Sequence, residues 1–312
     1  MDRYPSRLLT SVLILALVAP ALAGPRNKGT LGQQDEPSAS EGIEFHDPLV
    51  EECMELLRKG DAVAAMTKLE KEAGRAVGDQ KAEIQLGLAM LYLRSGQQTK
   101  AKQTLSGLIA RKDTGSVGNR TRILERVMKK YSPKKSGDLM DAEVWSQQLT
   151  SVAKDIAKDV VSEHQKVFPA MQKENWAQVA VQVAKAREHV NVAQEIKVGG
   201  AAGDVALKHI DGLANIVRQV NDDLDSGMAR AHVLREQVRE FERPRRNRIP
   251  GGQPPNANAK IDYNNLVHRL TAAWEASKLI DDELERLTED YGGQRIKKKA
   301  RLMPKTRLPV PI

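Results

Sequence analysis

Apolar residues recur at spacings of three and four along most of the chain beyond residue 48, and the stripes they draw predict helices. The longest runs from Ala206 through Ile210, Leu213, Val217, Val220 and Leu224 to Leu234, Val238 and Phe241, alternating four and three for five heptads, with Gly227 interrupting the seam. A second runs from Tyr263 through Leu266, Leu270, Ala273 and Ser277 to Ile280, Leu284, Leu287 and Tyr291. Shorter seams start at Trp145 (Leu149, Val152, Ile156, Val160) and at Trp176 (Val179, Val183, Ala186, Val190, Ala193). A repeat of 3.5 residues keeps one stripe turned toward a partner helix, and four such helices in one chain predict an antiparallel coiled-coil bundle over 138–291. Pairing of the same seams between two copies of the chain is the alternative. No stretch shows the alternation and turn signals of a sheet, so the fold class is all-α.

Breaks in the pattern divide the rest. Ser132–Gly137 separates an earlier helical block, 48–131, from the bundle, and the proline-rich, basic stretch 243–259 reads as a linker within the bundle. Residues 24–47 are rich in Gly, Ser, Pro and polar side chains and read as a disordered spacer, and 292–312 as a basic disordered tail. At the front, Arg3 and Arg7 precede 12 uncharged residues, Leu8–Ala19, then Pro20 and the small-x-small site Ala21-Leu22-Ala23. This is the pattern of a cleaved signal peptide, 1–23, and it predicts export, to the periplasm or outside the cell.

Within 48–131 the chain repeats itself at an offset of 36: Met54 meets Met90, Leu57 Leu93, Arg58 Arg94, Gly60 Gly96, Ala65 Ala101 and Leu69 Leu105. A glycine that ends one helix, an alanine where the next crosses closely and a leucine between them are what a helical hairpin needs. With Leu88-Ala89 and Tyr92 added, this resembles the tetratricopeptide repeat, in two divergent units whose extra residues loop out near 74–79. The resemblance implies that the first helix of each unit lines a concave face. It would carry Val50, Met54, Leu57 and Arg58 in one unit and Leu86, Met90, Leu93 and Arg94 in the other, suiting an apolar or acidic peptide. These positions can equally be core, the stronger reading for Leu57 and Leu93. The helix 121–131 would cap the stack.

Composition narrows the chemistry. Of 312 residues only 11 are aromatic, and one cysteine, Cys53, excludes an intramolecular disulfide and any Cys-cluster metal site. The six histidines, His46, His164, His189, His209, His232 and His268, form no HExxH or Glu-x-x-His pattern and read as solvated helix positions. Asn221–Gly227 has the outline of a calcium loop but puts Ser226 at the glycine position and His232 where the bidentate Glu belongs. Gly199-Gly200, Gly251-Gly252 and Gly292-Gly293 lack phosphate-loop partners and mark turns. Asn119-Arg120-Thr121 is a glycosylation sequon. No catalytic, cofactor-binding or metal-binding residue is assigned, and no cofactor is expected.

The net charge of +8 is uneven: the linker holds +4 (Arg243, Arg245, Arg246, Arg248) and the tail +7, including Lys297, Lys298, Lys299 and Arg301. Such clusters attract anionic surfaces. Neither has an aromatic to stack on bases, so nucleic acid fits less well. The sequence therefore reads as an exported, non-catalytic helical scaffold or adaptor for protein partners in the cell envelope. The alternatives are a binder of anionic polymer or membrane through the basic residues, and a helical lytic enzyme, for which 3 Trp and 5 Tyr are few.

Overall fold

A computed structural model describes residues 42–113, 115–131, 138–242, 258–291 and 309–312. The leader 1–23, most of the spacer 24–47, the break 132–137, nearly all of the linker 243–259 with its four arginines, and the tail up to 308 with Lys297, Lys298, Lys299 and Arg301 lie outside the described residues.

The fold is all-α. The first block contains α1 (Pro48–Arg58), α2 (Ala62–Ala73), α3 (Gly78–Arg94), α4 (Gln98–Ala110) and α5 (Ser116–Lys130). A 3-10 turn, Asp138–Met140, leads into the bundle of α6 (Ala142–Gln172), α7 (Trp176–Gln194), α8 (Ala201–Glu242) and α9 (Ala259–Tyr291). At 42 residues α8 is about 63 Å long.

Local chemistry sets the hairpins. Asp47 caps α1, its carboxylate accepting from the Leu49 and Val50 amides, with Pro48 in the first turn. Helices α1 and α3 end alike. The amides of Gly60 and Asp61 donate to Leu57 and Leu56, and those of Gly96 and Gln97 to Leu93 and Tyr92. Both glycines hold the left-handed backbone this closure needs, with φ of 88° and 76°. The same closure recurs between α6 and α7, where Glu174 takes the left-handed position without being glycine. Ala65 and Ala101 are fully buried at matching places in α2 and α4, and Leu69 and Leu105 pack beside them.

In the bundle the seams are core. Trp145, Leu149, Val152, Ile156 and Val160 of α6 are buried, as are Val179, Ala186, Val190 and Ala193 of α7 and the α8 seam from Ala206 to Val238 apart from half-buried Gly227. Phe241 is exposed. Gly227 serves the seam: a Cβ there would stand 2.4 Å from Leu270 Cδ2, so the glycine is what lets α8 and α9 close.

Hairpin block and bundle share one continuous core. Part of the segment assigned to the spacer belongs to it. Ile43 and Phe45 point inward, Ile43 makes an isolated antiparallel bridge with Ile196, and the Lys197 amide donates to the Gly42 carbonyl at 2.9 Å. Their alternation, too short to register as a strand, lays a strap over the turn between α7 and α8. Asn119, of the sequon, is buried within α5, so in the folded chain its side chain is not presented on a surface loop. Pro309–Ile312 is also held against the bundle. The Tyr263 hydroxyl donates to the Val310 carbonyl at 2.9 Å, and the Asn264 amide pairs with the main chain of Ile312.

Candidate partner groove and buried polar layer

The face assigned to partner binding is not a surface. Val50, Met54, Leu86, Met90 and Arg94 are buried, and so are Leu57 and Leu93; Arg58, paired with Glu55, is the exception. The reason lies in Gly87. A Cβ there would meet Val50 Cγ1 at 2.7 Å and Leu69 Cδ1 at 3.2 Å, so α3 sits directly on α1 and α2, and their shared stripe closes into core.

Arg94 shows what the closure builds. Its Nε donates to the Leu139 carbonyl and its Nη2 to the Met140 carbonyl, both at 2.9 Å, and its guanidinium lies 5.4 Å over the Trp145 ring. Burial brings its pKa down to about 10, partly offset by Asp141. Arg94 thus bolts α3 to the turn that starts the bundle. Arg120 of α5, at 0% exposure, is a second bolt. It donates to the Glu44 carbonyl of the strap at 2.8 Å, forms a paired contact with Glu83 of α3, and reaches toward Glu195 after α7. A charge this deeply buried is retained only when it is paired and hydrogen-bonded.

The bundle core carries a polar layer. His164 of α6 and His209 of α8 are both buried, contrary to the solvated reading. Their rings lie 6° from parallel with centroids 4.9 Å apart, and His164 Nε2 is 2.9 Å from His209 Nδ1. On its other side His209 Nε2 faces Glu283 Oε1 of α9 at 3.8 Å, with no hydrogen-bond partner among the described residues. Glu283 in turn pairs with Arg286 and with Arg187 of α7, both at 2.9 Å. At this distance one of the two ring nitrogens carries the hydrogen and the other accepts it.

Burial, with His209 adding, drives the His164 pKa down to about 3, so His164 is neutral at ordinary pH. Burial pushes Glu283 upward, but His209, Arg286 and Arg187 outweigh it and hold the carboxyl at about 2. Space for the layer comes from Gly212, whose Cβ would fall 1.8 Å from His164 Nδ1. The two histidines lie 45 residues apart, and no sequence spacing could have paired them. The glycine opposite was the one available signal. His232 and His268 are exposed, as expected. Among the described residues no group of three or more His, Cys, Asp or Glu side chains could hold a metal ion.

Among the described residues, one accessible feature of the bundle is a groove of about 390 Å³ where α6 turns into α7 and crosses α8 and α9. Phe168, Met171, Trp176, Leu224, Leu266 and Leu270 line it, and Phe168, Trp176 and Leu266 are only partly buried. The rim is charged. Arg269 pairs with Glu174 across it at 2.9 Å, and the carboxyl of Asp223 is pushed up by burial and by Asp222. Of these six, Trp176, Leu224, Leu266 and Leu270 stood in the predicted seams, and Phe168 and Met171 did not. Phe168 lies beyond the end of its seam, in a helix that continues past Pro169.

Compared with protein-family models, curated proteins and solved structures, the chain matches none of them.

Proposed function

We propose that this protein is an exported, non-catalytic helical scaffold that holds a protein partner in the groove between α6, α7, α8 and α9. The observation that carries the reading is a groove that gathers partly buried aromatic and aliphatic side chains, Phe168, Trp176 and Leu266, inside a charged rim. Aromatic anchors in a preformed cleft are the usual energetic centre of a protein interface. An apolar partner segment would seat on Phe168, Trp176 and Leu266, with Arg269, Glu174 and Asp223 setting its charged register. Export rests on the leader pattern of residues 1–23.

The tetratricopeptide resemblance remains part of this proposal. It is supported by the like closures at Gly60 and Gly96 and the like burial of Ala65 and Ala101. The role of those hairpins would then be to brace the bundle through Arg94 and Arg120. Binding of an anionic polymer or membrane through the linker and tail is a second reading, supported by the concentration of net positive charge in those two segments.

The test compares three proteins as bait for the envelope fraction: wild type, Leu266→Asp, and Val233→Asp at a position 56% exposed elsewhere on α8. The reading expects one protein to be retained by wild type and by Val233→Asp and lost by Leu266→Asp, with unchanged helicity in all three. Equal retention by all three would refute it.

A further inference from the structure

The contact between Pro309–Ile312 and the start of α9 has the form of peptide recognition. Tyr263 is buried to 0% exposure with its hydroxyl turned to the Val310 carbonyl at 2.9 Å. Asn264 reads Ile312 with both ends of its side-chain amide: Nδ2 donates to the main-chain oxygen at 3.1 Å, and Oδ1 accepts from the Ile312 amide at 2.9 Å. All three bonds go to main-chain atoms. The side chains contribute little, since Val310 is 73% and Ile312 42% exposed.

Recognition through three hydrogen bonds and little apolar burial is weak unless the segment is already stiff. The two prolines supply the stiffness. They fix φ near the polyproline value and remove two amides that would otherwise need partners. Extended proline-rich segments are bound in this way elsewhere, by side chains that read a preformed backbone.

We propose that Tyr263 and Asn264 form a main-chain-reading site for an extended, proline-flanked peptide segment, filled in cis by Pro309–Ile312, whose place a like segment of another protein can take. Tyr263 lies on the same face of α9 as Leu266 and Leu270, one and two turns before them, with Asn264 one position further round the helix. The inference does not depend on the groove holding a partner, because its contacts are complete without the groove.

Nuclear magnetic resonance on the full chain tests it. The Ile312 amide is expected to exchange more slowly than in an unbound peptide, and Asn264→Ala is expected to abolish that protection. Pro311→Ala should weaken protection, whereas Val310→Ala should leave it unchanged, because the Val310 side chain is not read. In a chain shortened by Pro309–Ile312, an amidated Leu-Pro-Val-Pro-Ile peptide should shift the Asn264 side-chain resonances saturably in the millimolar range. The full chain should bind the same peptide about twofold more weakly, since the tethered segment competes at an effective concentration close to the millimolar dissociation constant. An unprotected Ile312 amide in wild type, equal loss in Val310→Ala and Pro311→Ala, or no saturable shift in the shortened chain would each overturn the proposal.

Discussion

The hairpin block and the bundle are built from the same three-and-four spacing, yet their interiors differ. The stripe shared by α1 and α3 closes dry, on Val50, Met54, Leu57, Leu86, Met90 and Leu93, and its charges sit at the ends as bolts to the bundle. The bundle instead runs a polar row, His164–His209–Glu283–Arg187, through the level where all four helices meet. Helical periodicity specifies which residues face inward. What they meet there is decided by neighbours remote in sequence, so one pattern yields an inert core in one place and a titratable one in the other.

The largest effect should come from breaking a bolt. Arg120→Ala leaves Glu83 buried without its partner and releases the Glu44 strap, which should cost about 3–5 kcal/mol in chemical denaturation. A loss within 1 kcal/mol would mean that the two parts do not depend on this joint. Next is Gly212→Ala. The added methyl collides with the His164 ring and should cost about 1–3 kcal/mol, and His164→Ala in the same chain should recover much of that loss. Strict additivity of the two changes would place the ring elsewhere.

Acid should act on the bundle before the hairpins. The folded pKa of His164, about 3, lies below its unfolded value near 6.5, so the unfolded chain takes up the proton first. Stability from this group is full above about pH 6.5 and falls with acid by up to about 1.4 kcal/mol per pH unit toward pH 3. Half-buried His189 of α7, lowered chiefly by burial, adds in the same direction. Glu283, also depressed, contributes above its unfolded value and loses that contribution as pH falls toward about 2. His164→Leu should flatten the slope between pH 6.5 and 5, as urea denaturation at several pH values would show. The smallest effect is local to the hairpins. Lys112 ends α4 with φ of 52°, and Lys112→Gly should gain about 0.5–1 kcal/mol of thermal stability by relieving that backbone.

Much of the architecture was legible in the sequence. The seams of α6 to α9 came from spacing alone, and Gly60 and Gly96 marked the ends of α1 and α3 because only a residue free of Cβ strain enters that turn cheaply. The fates of Arg58 and Arg94 were not legible. They occupy the same repeat position, yet Arg58 stays at the surface with Glu55, while Arg94 is buried against carbonyls contributed 45 and 46 residues later. The groove was half visible, since Trp176 and Leu266 were known as seam residues. Their exposure depends on the α6–α7 turn at Glu174, which carries no glycine or proline signal.

The contrast between the two interiors can be measured directly by hydrogen exchange resolved along the chain at pH 7.5 and pH 5, corrected for the intrinsic pH dependence of exchange. Protonation of His164 in the opened chain should lower the opening free energy of α6 and of the α8 segment packed on it by about 2 kcal/mol at pH 5, while α3 and α4 change little. An equal fall in all four helices, or none in α6 and α8, would contradict the account.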